Sequence, residues 1–349
     1  METDSQNIDP LLEKLWAKKY VGNLANYAWE TSAPSATGRE QIAEKMLGTL
    51  RFASSQAWGK TEALLISELQ RHRIHADLID PWRIASDSRL LFEKAVESYT
   101  HQLRPERFSV VIAPECGRIR QAYSAQDPRV LGFMSMQFHY TGQLLLEKLT
   151  ADEKPLIADY FKVMDDHLYM PLHRAYEAAA AHVAGSPALL AVQHLLPIST
   201  QIAEFICAEV AEHNPDHRCY SGSLQDATVR ISSIRDVEMF QIYLCLCVLE
   251  GNVAAVQQEL FPLCVMLYPP LNVKWELVRQ LLGLLGWEIQ KRLPPADHKT
   301  FAPYGKALQE MFSLDVFPES NPIWSNHPDT VRFMNMARDL LQDFLQAPS

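Results

Sequence analysis

Apolar residues recur every three or four positions along most of the chain, the period of an amphipathic helix and not of a strand. Leu144, Leu145 and Leu149 follow Thr141-Gly142, and Thr150 with Glu153 has the spacing of a capping box. A helix is therefore predicted through Ile157, Tyr160, Phe161 and Met164. Met170–Val183 continues the pattern until Gly185-Ser186-Pro187 stops it. Leu189–Val210 keeps the period over a long stretch with one internal proline, Pro197, expected to kink or divide it. After His213-Asn214-Pro215 comes a polar loop, Asp216–Gln225. Helices are then predicted over Ile231–Leu249, ended by Gly251-Asn252, over Val253–Leu267 up to Pro269-Pro270, and over Lys274–Lys291 before Pro294-Pro295.

The two ends read differently. Ile74–Ile79 and Phe108–Ala113 are short β-like segments, bounded by Asp80-Pro81 and Pro114, which predicts a small mixed α/β region at the N-terminal end. Thr31–Gly38, rich in Ser, Ala and Thr, reads as a loop. Beyond Lys299 the chain reads as loop until Pro328, and Asp329–Leu345 as a tail helix with Phe333, Met336, Leu340, Leu341 and Phe344 on one side. The divisions expected are 1–119, a mixed region of unknown role; 120–292, a helical domain; and 293–349, a linker and amphipathic helix.

Composition sharpens this picture. Only 13 glycines in 349 residues favour helix, and 48% hydrophobic with 21% charged residues describes an ordinary globular chain with a sizeable core. A net charge of -10 disfavours a nucleic-acid partner. The six cysteines include no C-x-x-C pair, and most lie in apolar runs, which implies reduced thiols. Met1–Pro10 has neither the basic nor the apolar region of a secretory signal. Phe240–Leu249 and Leu281–Trp287 are too short to cross a bilayer. The expectation is a soluble, cytoplasmic protein.

Two segments carry a family resemblance. Ala191–Pro215 has an opening Ala-Val, a central Ser-Thr-x-Ile and a closing Asn-Pro, and Ser233–Gly251 contains Arg235-Asp236 and an amphipathic run to Gly251. Together they resemble the second core helix and the chromophore helix of the phycobilisome protein family, over about residues 166–292; Leu260–Val273 resembles the stretch before that family's last helix. The resemblance implies a mainly α, globin-like phycobilisome-type helical bundle, with the small mixed region before it and the helical tail after it. It also implies that Asp236 would accept hydrogen bonds from bilin pyrrole nitrogens and that Arg235 would pair with a propionate.

One departure is decisive for the pigment. Ser233 stands where the family carries its bilin-attaching cysteine, and a serine hydroxyl is far too weak a nucleophile to form the thioether. Cys219, some fifteen residues away in the preceding loop, reads as a poor substitute. Arg235 and Asp236 are then either contacts for a noncovalent bilin or a salt pair at the start of a helix. Family subunits pair through their N-terminal helices, so Gln137–Met170 is the stretch expected to meet a partner or a second copy.

Other constellations weigh less. Asp165, Asp166, His167, His173 and His182 invite a metal reading, but the histidines lack helical-face spacing and no Glu-x-x-His pair exists. Trp58-Gly59-Lys60-Thr61 lacks the first glycine of a phosphate loop, because Ser54 stands there. Met134, Met136, Phe138 and Tyr140 read as core packing. Cys116, close to Arg118 and Arg120, has the only setting expected to favour a thiolate.

The function expected is that of a non-enzymatic, phycobiliprotein-like accessory protein of the cyanobacterial photosynthetic apparatus. It would work by protein–protein contact with a phycobilisome or photosystem, with or without a noncovalent bilin, in the cytoplasm or peripheral to the thylakoid membrane. Two alternatives remain: a globin-like sensor whose pocket histidine would be His194, and an enzyme dependent on Cys116.

Overall fold

The structure is a computed structural model, and it describes residues 11–22 and 36–318. The expected tail helix Asp329–Leu345 and most of the Thr31–Gly38 loop lie outside the described residues. Two short helices, α1 (Leu12–Ala17) and α2 (Lys19–Gly22), precede the 36-residue α3 (Ala36–Arg71). Then come α4 (Pro81–Thr100), α5 (Pro105–Ser124), α6 (Val130–Glu147), α7 (Lys154–Tyr169) and α8 (Leu172–Ala180). The second half has α9 (Pro187–Leu195), α10 (Ser199–His213), α11 (Ala227–Glu250), α12 (Phe261–Leu267), α13 (Trp275–Arg292) and α14 (Pro295–Met311). Among the described residues the only sheet is a two-residue antiparallel hairpin, Arg218–Cys219 with Gly222–Ser223, inside the loop read as polar. The protein is mainly α.

Among the described residues of the N-terminal region no β-strand is found, and the two segments read as β-like are not strands. Phe108–Ala113 lies inside α5, and Ile74–Ile79 holds a 3-10 turn, Ala76–Leu78, before α4. The β-rich composition of Phe108–Ala113 is overridden by tertiary burial at helical spacing: Phe108, Ile112, Cys116, Ile119 and Tyr123 all face the core. Pro114, read as a stop, sits on the solvent side of α5, where water can satisfy the carbonyl its missing N–H leaves free. Pro303 does the same in α14, which runs through residues read as loop after Lys299. The boundary expected at 119/120 falls inside α5.

Other signals hold. Asp80 caps α4, its carboxylate accepting from the backbone N–H groups of Trp82 and Arg83. Glu153 reaches back to the Thr150 N–H at 2.8 Å, completing one half of the predicted box. Pro197 lies in a 3-10 turn, Leu196–Ile198, that divides α9 from α10. Gly251 ends α11 at φ 70°, a left-handed position that suits glycine. The run Pro187–His213, with a mean hydropathy of 1.2, is long and apolar enough to cross a bilayer, unlike the two shorter stretches read from the sequence; half of that window is buried inside the protein.

One continuous core joins residues from Leu12 to Phe317. Its centre is α6, where every residue from Val130 to Phe138 is buried beneath α3, α4, α5 and α7. Phe138 stacks on Phe92 at 4.4 Å, Phe161 meets Phe92 edge-on, and Gln137 donates to the Ser54 carbonyl at 2.9 Å. Between Gln137 and Met170 the exposed positions are Glu147, Lys148, Thr150–Asp152 and Lys154, clustered around the turn between α6 and α7, and most of the remaining stretch is packed against the chain's own helices. Helices α3 and α4 pack on α6, and α5 and α4 pack on α7. In the second half, α11 packs against α8, α9, α10 and α14, and α13 lies on α10 and α14.

Helices α5 and α8 approach closely at Gly117, where an added Cβ would stand 2.6 Å from His173 Cβ. Gly117→Ala is expected to cost about 1–3 kcal/mol through this clash, read as a fall in thermal midpoint. An unchanged midpoint would mean that α8 yields freely.

Candidate functional site

The first turns of α11 bring Ser233, Arg235 and Asp236 to the junction of α7, α10 and α13. Arg235 Nη1 donates to Asp165 Oδ2 at 2.5 Å, and its guanidinium lies 4.0 Å from the centre of the Tyr169 ring. Burial disfavours its charge, but Asp165, Tyr169 and Asp236 more than offset this and keep it protonated. The hydroxyls of Tyr169 and Tyr268 act on the Asp236 carboxyl and favour its charged form. Burial pushes the Asp236 carboxyl up to about 6, with Asp165 adding to the rise; Arg235 and the two tyrosines oppose it. Asp236 is thus the reverse of an ordinary paired carboxylate.

Asp236 and Ser233 line a cavity of about 70 Å³. Its other walls come from α10 (Ile206, Cys207, Val210), the hairpin (Cys219) and α13 (Leu277, Leu281). The fold therefore brings Cys219 to the same pocket as Ser233 and Asp236, which the sequence separation hid, and adds Cys207, which sequence reasoning missed. A bilin contains four pyrrole-derived rings, whereas drug-sized ligands alone occupy pockets of about 300–1,000 Å³. The carboxylate suits pyrrole N–H groups, but the space and the committed Arg235 do not fit a tetrapyrrole. A larger groove of about 300 Å³ runs between α13 and α14, past Gly283, Gly286, Trp287, Phe301 and Gly305, and none of Ser233, Arg235 and Asp236 lines it.

Each remaining candidate has a structural partner. Cys116 is fully buried, and burial together with Glu115 pushes its thiol well above the ordinary value. The arginines expected to activate it turn elsewhere: Arg118 pairs with Glu115, and Arg120 with Glu259 and Tyr243. His194 bonds Asp297 at 2.7 Å, is half-exposed and lines neither cavity. Asp165 serves Arg235, and Asp166 holds Lys19, Lys162 and Tyr20. His167 Nδ1 donates to the Val163 carbonyl, and burial pushes its pKa down to about 4, so it is neutral near pH 7. His182 donates to the Leu249 carbonyl, and His173 faces Glu177. Among the described residues, no group of three such side chains is placed to hold a metal ion. Trp58-Gly59-Lys60-Thr61 lies in mid-α3, with Thr61 bonded to the Ala57 carbonyl.

Accessibility orders the thiols. Cys219 is partly exposed, while Cys116, Cys245 and Cys264 are buried and Cys207 is raised to about 12 by burial. Iodoacetamide on the native protein is expected to modify Cys219 first, slowly, and Cys116 only after denaturation. Peptide mass mapping showing early Cys116 labelling would contradict this placement.

No family model matches the chain, and neither the curated proteins nor the solved structures include a match.

Proposed function

We propose that the chain is a pigment-free, phycobiliprotein-like accessory protein of the cyanobacterial light-harvesting apparatus. It works by protein–protein contact in assembly or regulation, in the cytoplasm or at the thylakoid surface, and the helices over about residues 166–292 descend from a globin-like bundle of the phycobilisome type. The family reading rests on the motif resemblance in α10 and α11. The observation that carries the pigment-free form is the fate of the Arg235–Asp236 pair. Arg235 is held by Asp165 and Tyr169, and the space beside Asp236 is about 70 Å³, too small for a bilin.

The N-terminal helices sharpen the contact. Because α3, α4 and α5 pack over most of Gln137–Met170, a partner contact there would use the exposed turn between α6 and α7, and the chain is not a standard antenna subunit. The test has two parts. Co-expressed with a bilin-producing pathway, the purified protein is expected to be colourless; visible absorbance, whether lost or kept on acid-urea denaturation, would refute the pigment-free reading. Mixed with isolated phycobilisomes or photosystems, it is expected to co-sediment with one of them through a sucrose gradient. Remaining at the top with both would refute the contact reading.

A further inference from the structure

The pocket beside Asp236 has the chemistry of a binding site for something smaller than a pigment. Its walls include the side chains of Ile206, Val210, Phe240, Leu277 and Leu281. Such a surface suits an alkyl or small-ring body. Ser233 supplies a hydroxyl at the same wall.

The cavity wall carries a single charged side chain, that of Asp236. Of the cations nearby, Arg235 makes its short contact to Asp165, and Arg230 and Lys60 act on Cys207 and His139; none of the three lines the cavity. Tyr169 and Tyr268 act on Asp236 without adding charge, and the thiols near it, Cys207, Cys219 and Cys264, are all raised by burial and so are uncharged near pH 7. His139, which faces Asp165 and Arg235, is lowered by burial and is neutral there as well. Asp236 is the only Asp, Glu, Lys, Arg or His among the cavity's lining residues, and a carboxylate at an apolar wall is costly unless a cation meets it.

We infer that this pocket binds a small organic ammonium ion, its alkyl body against the apolar wall and its N–H groups on the Asp236 carboxylate beside Ser233. The size of the cavity restricts the part that enters to a few heavy atoms. An alcohol of the same shape lacks the charge, and an anion is repelled. Binding competes with the proton on Asp236, so it weakens as pH falls through about 6. This inference stands apart from the accessory-protein reading, which requires no ligand here, and either can fail alone.

The experiment is a ligand-observed NMR titration of the full chain with n-propylammonium chloride at about pH 7.5, with ionic strength held constant by NaCl. Saturable binding is expected, weakened at least tenfold in Asp236→Asn and again at about pH 5, with n-propanol failing to compete. Ser233→Phe keeps the carboxylate but fills the cavity, and it is expected to abolish binding while circular dichroism stays native. If Asp236→Asn does not fold, Ser233→Phe and the pH series decide. No saturation in the wild-type protein would overturn the inference, and so would equal binding in a folded Asp236→Asn or Ser233→Phe variant.

Discussion

Replacing Asp166 with alanine is expected to destabilise the protein by about 3–5 kcal/mol, because it breaks a buried ion cluster and leaves its cations unpaired. Asp166 is fully buried and accepts from Tyr20 Oη at 2.7 Å and from Lys162 Nζ at 2.9 Å, with Lys19 Nζ 3.5 Å away. Lys19 also bonds Glu238 at 2.8 Å and lies over the Trp16 ring, while Thr200 donates to Glu238 at 2.6 Å. The cluster thus ties α2, α7, α10 and α11 together. Urea unfolding would measure the loss; a change under about 1 kcal/mol would mean that the freed lysines reach water without penalty.

The pH dependence has a definite sign. Burial alone would raise the Asp166 pKa, but Lys162, Lys19 and Tyr20 more than offset it and hold the carboxyl well below the usual range. Its folded value lies under its unfolded value, so the stability it contributes is complete above about pH 4 and is lost as pH falls further. Asp236 has the opposite sign: its folded pKa, pushed up to about 6, makes its charge a penalty above that pH, relieved on the way down to about pH 4. The difference in stability between the wild-type protein and Asp166→Asn should therefore shrink in acid. A difference that stayed constant down to strongly acidic pH would contradict the ion cluster.

Arg120→Ala is expected to have a comparable effect, about 3–5 kcal/mol. One Nη atom donates to the carbonyl oxygens of Leu168 and Tyr169, satisfying the end of α7, and the other meets Tyr243 Oη at 2.7 Å and Glu259. Tyr243 also donates to Glu259. Without the guanidinium, a buried carboxylate keeps only the tyrosine and the more distant Arg174 at 3.8 Å. Arg120→Lys should recover less than half of the loss, because an ammonium cannot span two carbonyls and a carboxylate in one plane. Full recovery in a denaturation experiment would show that charge alone matters there.

The helices from α7 to α13 were legible because their apolar period and their stops agreed, whereas α6 was read only in its last turn, from Leu144. Thr150–Glu153, Pro197 and Gly251 each act locally, through a backbone N–H, a missing N–H or a left-handed turn, and such effects need no distant partner. Phe108–Ala113 was misread for the converse reason. Its composition favours a strand in isolation, and only packing against α7 and α8 makes the helix the better way to bury it. The candidate site was half legible. Ser233, Arg235 and Asp236 share one short motif, but Asp165 is 70 residues from Arg235, and Cys207 and Cys219 reach the pocket from α10 and the hairpin.

The sequence by itself determined the helical class and most of the stops in the second half, consequences of residues acting on their immediate neighbours. Only the tertiary structure decided that most of Gln137–Met170 is packed against the chain's own helices, that Cys116 is inert, that Arg235 is spent on Asp165 and that Asp236 borders a small apolar pocket. Burial and charge pairing are sums over groups from distant parts of the chain, and their outcome depends on which of those groups the fold brings within a few ångströms.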